Sequence, residues 1–232
     1  MKLSVIIPVF NEAAHIQSTI QLLLTNNQLK QVIEIIVVDG GSTDATSKIA
    51  LKEGAIIAHS TKGRAAQMNT GAAIAKGDVL YFLHADTKPP ANYLSYINDA
   101  LQQGYELGSF RLRFDVDHWF LRANTWFTRF NINSFRFGDQ SLFVKKELFN
   151  KVGGFNEKMV VLEDQNLIKR LIQFGKFTVM PAAVITSARK YTTNGIYKTQ
   201  AVYFLIYMLY RCRVSQQHLV KLYKKLIRQD KL

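Results

Sequence analysis

Val32-Ile33-Glu34-Ile35-Ile36-Val37-Val38, followed by Asp39-Gly40-Gly41-Ser42-Thr43-Asp44, is the stretch on which the fold turns. The first seven residues are β-branched and apolar at every position but Glu34. A run that apolar suits a strand covered on both faces, as in the middle of a parallel sheet. Gly40-Gly41 then permits a sharp strand-to-helix turn. Ser42 and Asp44 have side chains suited to capping the helix that follows. Strand, turn and helix are thus written into thirteen consecutive residues.

Working outward, the same texture repeats. Apolar β-branched runs occur at 3–9, 33–38, 55–58 and 79–83, with helix-like stretches at about 13–25, 44–53, 64–75 and 91–102. Short strands alternating with helices predict an α/β, Rossmann-like, mostly parallel sheet with helices on both faces. Beyond residue 103, residues 107–114 alternate as an extended strand would, and 118–131 is helical and aromatic. Gly153-Gly154-Phe155 reads as a turn, 162–174 as a helix and 176–187 as a short strand pair. Two final helices are expected at 196–212 and 215–228. The expected organisation is a unit over 1–190, with halves of about 1–103 and 104–190, followed by a helical extension over 191–232.

The 232 residues are 48% hydrophobic and 20% charged, which allows a real core and excludes a disordered chain. The net charge of +13 is compatible with nucleic acid, anionic lipid or phosphorylated ligands as partners. From Arg211 to Leu232 there are seven Lys/Arg against Asp230, so +6 of that charge belongs to the tail. Cys212 is the single cysteine and forms no intrachain disulfide, which fits a reducing compartment. The opening residues lack the features of a signal peptide. The longest apolar run, Ala201 to Tyr210, is ten residues, against the roughly 20 a membrane span needs. A cytoplasmic protein is expected. Ala201–Tyr210 is apolar all round, and Leu219, Leu222, Tyr223 and Leu226 form a stripe on a helix that also carries Lys221, Lys224, Lys225 and Arg228. These helices either pack on the body or a second copy, or lie on the inner membrane surface.

In open parallel sheets, ligands bind beyond the carboxyl ends of the strands. Polar residues gather at four such places. Pro8, Phe10, Asn11 and Glu12 follow the first strand, and Asp39, Gly41, Ser42 and Asp44 the second. Lys62, Arg64, Gln67 and Asn69 follow the third, and His84, Ala85 and Asp86 the fourth. The glycine pattern of an NAD site is missing from the first turn, as is a P-loop. Asp39 at the strand end is placed to accept a hydrogen bond from a base, or to cap its own turn. His84 and Asp86 point the same way along their strand. One carboxylate plus a diphosphate suits Mg²⁺ or Mn²⁺, and the imidazole could add a ligand or bond a ribose hydroxyl. A structural His–Asp pair is the plain alternative. Arg189 and Lys190, after the strand at 183–187, are either a second clamp on a leaving diphosphate or a solvated basic pair.

Taken together, Val5-Ile6-Ile7-Pro8-Val9-Phe10-Asn11-Glu12, Val37-Val38-Asp39-Gly40-Gly41-Ser42-Thr43-Asp44 and His84-Ala85-Asp86 resemble family 2 glycosyltransferases of the GT-A fold. Lys62-Gly63-Arg64-Ala65-Ala66-Gln67-Met68-Asn69 is similar to a bacterial subgroup in which the D-x-D motif is written H-A-D. Gly153-Gly154-Phe155-Asn156-Glu157 followed by Glu163-Asp164 resembles the family's G-G-F-x-E…E-D signature. The resemblance runs from about residue 3 to about 190.

It implies an inverting, hexosyltransferase-like enzyme that spends a nucleotide sugar, a UDP-sugar favoured, on a hydroxyl acceptor. That acceptor is a saccharide, lipid or small molecule, and no nucleic-acid partner is expected. The nucleotide-sugar side would comprise Pro8, Phe10, Asn11, Glu12, Asp39, Gly41, Arg64, Gln67, His84, Ala85, Asp86 and Arg189. Asp39 would bind uracil, Arg64 would lie over the nucleotide, and Asp86 with His84 would hold the Mn²⁺ or Mg²⁺. Asp164 would be the general base, with Asp139, Gln140 and Glu163 on the acceptor side. The chain departs from the pattern at Gly40, where a second aspartate is common, and at His84. Two other functions stay open: a sugar nucleotidyltransferase, and a non-catalytic basic module for membrane or nucleic acid.

Overall fold

The computed structural model describes residues 1–27, 30–136 and 138–228. Asp230 and Lys231, part of the basic tail, lie outside the described residues. Eight strands form one sheet: β1 Leu3–Val9, β2 Val32–Asp39, β3 Ile56–His59, β4 Val79–Phe82, β5 Thr87–Lys88, β6 Leu107–Phe114, β7 Leu142–Lys145 and β8 Phe177–Thr186. Their spatial order is β3-β2-β1-β4-β7-β6-β8-β5. The first four pair in parallel, with β1 between β2 and β4. β7 runs antiparallel between β4 and β6, β8 runs parallel to β6, and the two residues of β5 lie antiparallel on β8.

The helices are α1 Ile16–Thr25, α2 Thr46–Lys52, α3 Arg64–Ile74, α4 Tyr93–Gln102, α5 Trp119–Trp126, α6 Lys146–Lys151, α7 Glu163–Leu171, α8 Arg189–Asn194, α9 Ile196–Arg211 and α10 Gln216–Leu226. The β-branched runs form strands because alternate residues find cover on opposite faces. Val5, Ile7, Ile35, Val37 and Tyr81 pack with Ile16 and Ile20 of α1 and Tyr93 and Ile97 of α4. Ile6, Ile36, Val38, Leu80 and Phe82 pack with Met68 and Ala72 of α3 and Leu167 and Leu171 of α7. α3 sits so close to the sheet that a Cβ on Gly71 would lie 2.5 Å from Ile6 Cγ2.

One expectation is corrected. Within 176–187 the chain forms a single ten-residue strand, β8 Phe177–Thr186, not a strand pair. Its register against β6 jumps from Phe110–Met180 to Arg111–Ala183, so Pro181 and Ala182 bulge out. Proline has no N–H to give the ladder, and a bulge is where a strand tolerates it. The capping reading also shifts. Asp44 accepts from Thr46 N at 3.0 Å and from Ala13 N at 3.1 Å, while Ser42 Oγ accepts from Asn11 N at 2.9 Å. Both side chains tie the first two strand-end loops together.

The apolar stripe of α10 turns inward. Leu219 and Tyr223 are buried with Val202 and Ile206 of α9. On the other side of α9, Phe204, Leu205 and Met208 are exposed. Among the described residues no helix is long and apolar enough to cross a membrane.

Candidate active site

β1, β2 and β4 end at one edge of the sheet, and β8 brings its own end beside them. Ser187 N donates to the Asp86 carbonyl at 3.2 Å, and the Thr87 and Thr186 hydroxyls share a 2.8 Å hydrogen bond. Thr19 Oγ1 of α1 holds the Ala85 carbonyl at 2.7 Å. These contacts stiffen the segment after β4 that carries His84 and Asp86.

A narrow cleft with about 60 Å³ of free space lies there, lined by Pro8, Phe10, Glu12, Arg64, Gln67, His84, Ala85, Asp86, Asp139, Arg189 and Lys190, among others. Arg189 joins two of its walls. Its Nη1 and Nη2 donate to the two Glu12 carboxylate oxygens at 3.1 and 2.8 Å, and Nη2 also lies 2.8 Å from Asp86 Oδ2. Burial alone would lower the Arg189 pKa; the Glu12 hydrogen bonds and the Asp86 charge outweigh it and raise it. Arg189 is therefore no solvated cation but the link between the first and fourth strand ends. Gln67 is buried, and its Nε2 donates to the Val9 and Val38 carbonyls at 2.7 and 2.8 Å, joining β1 to β2.

Asn11, Asp39 and Gly41 stand at the same edge but do not line this cleft. Asp39 accepts from Gly41 N and Ser42 N at 3.0 and 2.7 Å and from Ser47 Oγ. Burial pushes its carboxyl up, but these donors together hold it below the ordinary value. Asn11, with φ 52, accepts from Thr43 N at 2.9 Å through Oδ1.

His84 Nδ1 lies 3.0 Å from Asp139 Oδ1. Burial pushes the Asp139 carboxyl up, yet the His84 contact, with Lys190 and Arg64, holds it well below the carboxylate range. Lys190 is pushed down to about 8 by burial and by the Arg64 charge. Among the described residues no three His, Cys, Asp or Glu side chains converge as a closed metal cage. The donors present nevertheless fit a hard divalent cation. Such an ion uses one or two carboxylates and completes its shell from substrate phosphates and water. A carboxylate on the far ring nitrogen, as Asp139 is on His84, is the usual support of a ligating imidazole.

A second, larger cavity of about 430 Å³ opens beyond Arg64, between α5, α7, α9 and α10. Its walls include Leu112, Phe127, Phe135, Ile206 and Tyr223, and Glu163 and Asp164 reach it from the first turn of α7. Leu162, just before α7, has φ 62, a left-handed backbone that is strained for leucine. That turn aims both acids into the cavity. Glu163 Oε1 lies 3.9 Å from Arg64 Nη1 and is buried without a hydrogen bond. Arg64, Asp139, Lys190, Tyr191, Tyr203 and Phe114 line both cavities. Gln140, expected on the acceptor side, is instead buried outside both. It donates to the Phe135 carbonyl at 2.7 Å, and its Oε1 accepts from Ser109 Oγ at 3.3 Å.

Burial, reinforced by the Asp164 charge, raises the Glu163 carboxyl from 4.5 to about 7, against the opposing pull of Arg64. The folded protein thus holds this proton more tightly than the unfolded chain. The stability it contributes is full below about pH 4.5 and is lost as pH rises through about 7. We expect Glu163→Gln to remove a fall on the order of 3 kcal/mol across that window, read as a flatter plot of Tm against pH. A slope unchanged by the substitution would contradict the burial argument.

Residues 4–155 match the family model described as Glycosyl transferase family 2. The chain is 31% identical over 129 residues to the undecaprenyl-phosphate 4-deoxy-4-formamido-L-arabinose transferase of Aeromonas hydrophila, covering 52% of this chain and 40% of that protein. The chain spans half or less of the length of the curated relatives it matches. Among solved structures, the mannosyltransferase PcManGT of Pyrobaculum calidifontis, in complex with GDP-Man and Mn²⁺, aligns with TM-score 0.70 at 17% identity. That alignment covers 96% of this chain and 69% of that one. TarS residues 1–349 of S. aureus, in complex with UDP-GlcNAc, align with TM-score 0.67 at 16% identity, covering 97% and 71%. The expected α/β architecture, similar to GT-A glycosyltransferases, is the one observed.

Proposed function

Because the chain belongs to glycosyl transferase family 2, we propose that it moves a sugar from a nucleotide diphosphate, a UDP-sugar favoured, to an acceptor hydroxyl with inversion. One observation carries this reading. Asp86 lines the narrow cleft, Asp164 the larger cavity, and both cavities share Arg64, Asp139 and Lys190 as walls. A donor side and an acceptor side thus meet at a cluster of charge.

Phe10, Glu12 and Pro8 border the nucleotide. Asp39, at the same sheet edge, would accept a base N–H on the carboxylate that also takes donors from Gly41, Ser42 and Ser47. Asp86, with His84 beside it, would hold the Mn²⁺ or Mg²⁺, which when bound neutralises diphosphate charge. Arg189 keeps both its nitrogens on Glu12 if Asp86 turns to a cation. Arg64 and Lys190 face the place where negative charge grows on the leaving diphosphate. Asp164, raised in pKa by burial, is a stronger base than an exposed aspartate and takes the acceptor proton.

A thermal-shift screen of UDP-, GDP- and dTDP-sugars with Mn²⁺ tests the reading. A ligand held only by the folded state at a hundred times its Kd adds about 2.7 kcal/mol. Silence from every nucleotide would end it. Asp86→Ala is expected to weaken nucleotide affinity about tenfold or more in Mn²⁺, in line with the loss seen when metal sites are disturbed. It should change affinity little without Mn²⁺. Equal affinities with and without Mn²⁺ in the unsubstituted chain would remove the metal role.

A further inference from the structure

The geometry points to the class of acceptor: a neutral lipophilic alcohol. Its apolar body would lie in the chamber walled by Leu112, Phe127, Phe135 and Ile206, with its hydroxyl against Glu163 and Asp164. This inference rests on the glycosyltransferase reading and narrows it.

Three observations carry it. The cavity, at about 430 Å³, is within the size range of small-molecule sites, and its walls are mainly aromatic and aliphatic. The lining also carries Asn124, Thr125, Ser134 and Gln200, but a saccharide would set more hydroxyls against the apolar walls than an alcohol with one, and each left unmatched is costly to bury. Second, among the described residues that line the chamber, two buried side-chain atoms lack a hydrogen-bond partner: the donor Arg136 Nε and one acceptor, on Glu163. Glu163 is only 3% exposed, yet its Oε1 has no hydrogen-bond partner. It is an acceptor awaiting a donor, and an alcohol brings one O–H. Third, the charge at that end does not suit an anion. Glu163, Asp164 and Asp139 stand with Arg64, Arg136 and Lys190, three acidic groups against three basic ones, so the formal count leaves no surplus of positive charge. A phosphate nucleophile would want surplus positive charge and no base; an alcohol needs the base that is present. The mouth of the chamber is apolar as well, because Phe127 and Phe204 line it and remain exposed.

The step balances simply. The alcohol oxygen forms a bond to the anomeric carbon while the bond from that carbon to the phosphate oxygen breaks. The diphosphate leaves with the electron pair, and the hydroxyl proton passes to the Asp164 carboxylate.

The test is equilibrium dialysis of the full chain, saturated with UDP, against farnesol, farnesyl phosphate and maltose. Farnesol should bind, and the other two should bind at least about tenfold more weakly. Phe127→Asp at the chamber mouth and Ile206→Asn in its wall should each weaken farnesol about tenfold, the order expected for losing one buried apolar contact. Unaltered UDP affinity in either variant certifies an intact fold. Binding of maltose in preference to farnesol overturns the inference, as does tighter binding of farnesyl phosphate. Sugar transfer is read separately. A chain that binds farnesol but transfers to no alcohol sinks the glycosyltransferase reading and leaves the chamber assignment. A chain that transfers to maltose and ignores farnesol does the reverse.

Discussion

Asp164→Asn is expected to lower kcat by about a thousandfold, within the span that positioned acid–base groups contribute, while nucleotide affinity stays within about twofold of the parent. The two halves of that expectation have separate causes. Asp164 lines the larger cavity and not the cleft that carries Asp86, so its amide analogue leaves the nucleotide contacts in place. Asparagine keeps the shape and the hydrogen-bonding oxygen but cannot take a proton at neutral pH. The carboxylate earns its basicity from burial, which raises its pKa against the pull of His84 and Arg64. Single-turnover rates of the two proteins on one donor and acceptor, with isothermal titration of UDP, give the answer. Turnover at the parent rate would remove Asp164 from the role of base. Glu163 is the natural control, since it shares the cavity and its first contact is Arg64. If Glu163→Gln lost the thousandfold and Asp164→Asn did not, the two acids would exchange parts.

Arg189→Gln should be the most destabilising single change at the site. Arg189 is the cation that Glu12 and Asp86 share, and the Glu12 and Asp86 side chains are only 8% and 15% exposed. Removing one partner from such a buried group costs about 3 kcal/mol or somewhat less here, because Arg189 itself is one-third exposed. For a chain of this size that is a fall in Tm of about 5–10 °C. Adding Glu12→Gln to Arg189→Gln should recover part of the loss, because the carboxylate left without its cation is then gone. Differential scanning calorimetry of the single and double variants measures this directly. A double variant less stable than either single one would mean that the pair packs rather than pairs.

Much of the site is legible in the order of residues alone. His84, Asp86 and Arg64 stand where strand ends and a helix start must place them, because alternation along a strand and the crossover of parallel strands are local rules. The turn at Asp39 is legible for the same reason. Gln140 shows the limit of such reading. It adjoins Asp139, which reaches the site, yet its own amide is consumed by Ser109 and the Phe135 carbonyl. In a 3-10 turn adjacent residues point in different directions, and nothing in Gly138-Asp139-Gln140 says which one faces the cavity.

The amino-acid sequence by itself determined the parallel half of the sheet, its helices on both faces and the edge at which polar groups collect. Apolar periodicity, glycine turns and strand polarity act over a few residues each. Only the tertiary structure decided that Arg189 reaches back 177 residues to Glu12, that His84 leans on Asp139, and that β8 is one bulged strand. It also decided that α5, α7, α9 and α10 enclose an apolar chamber in front of Asp164. Those facts depend on which distant surfaces meet. That is set by burial of each helix's apolar face against a neighbour far away in the chain, and no local pattern encodes it.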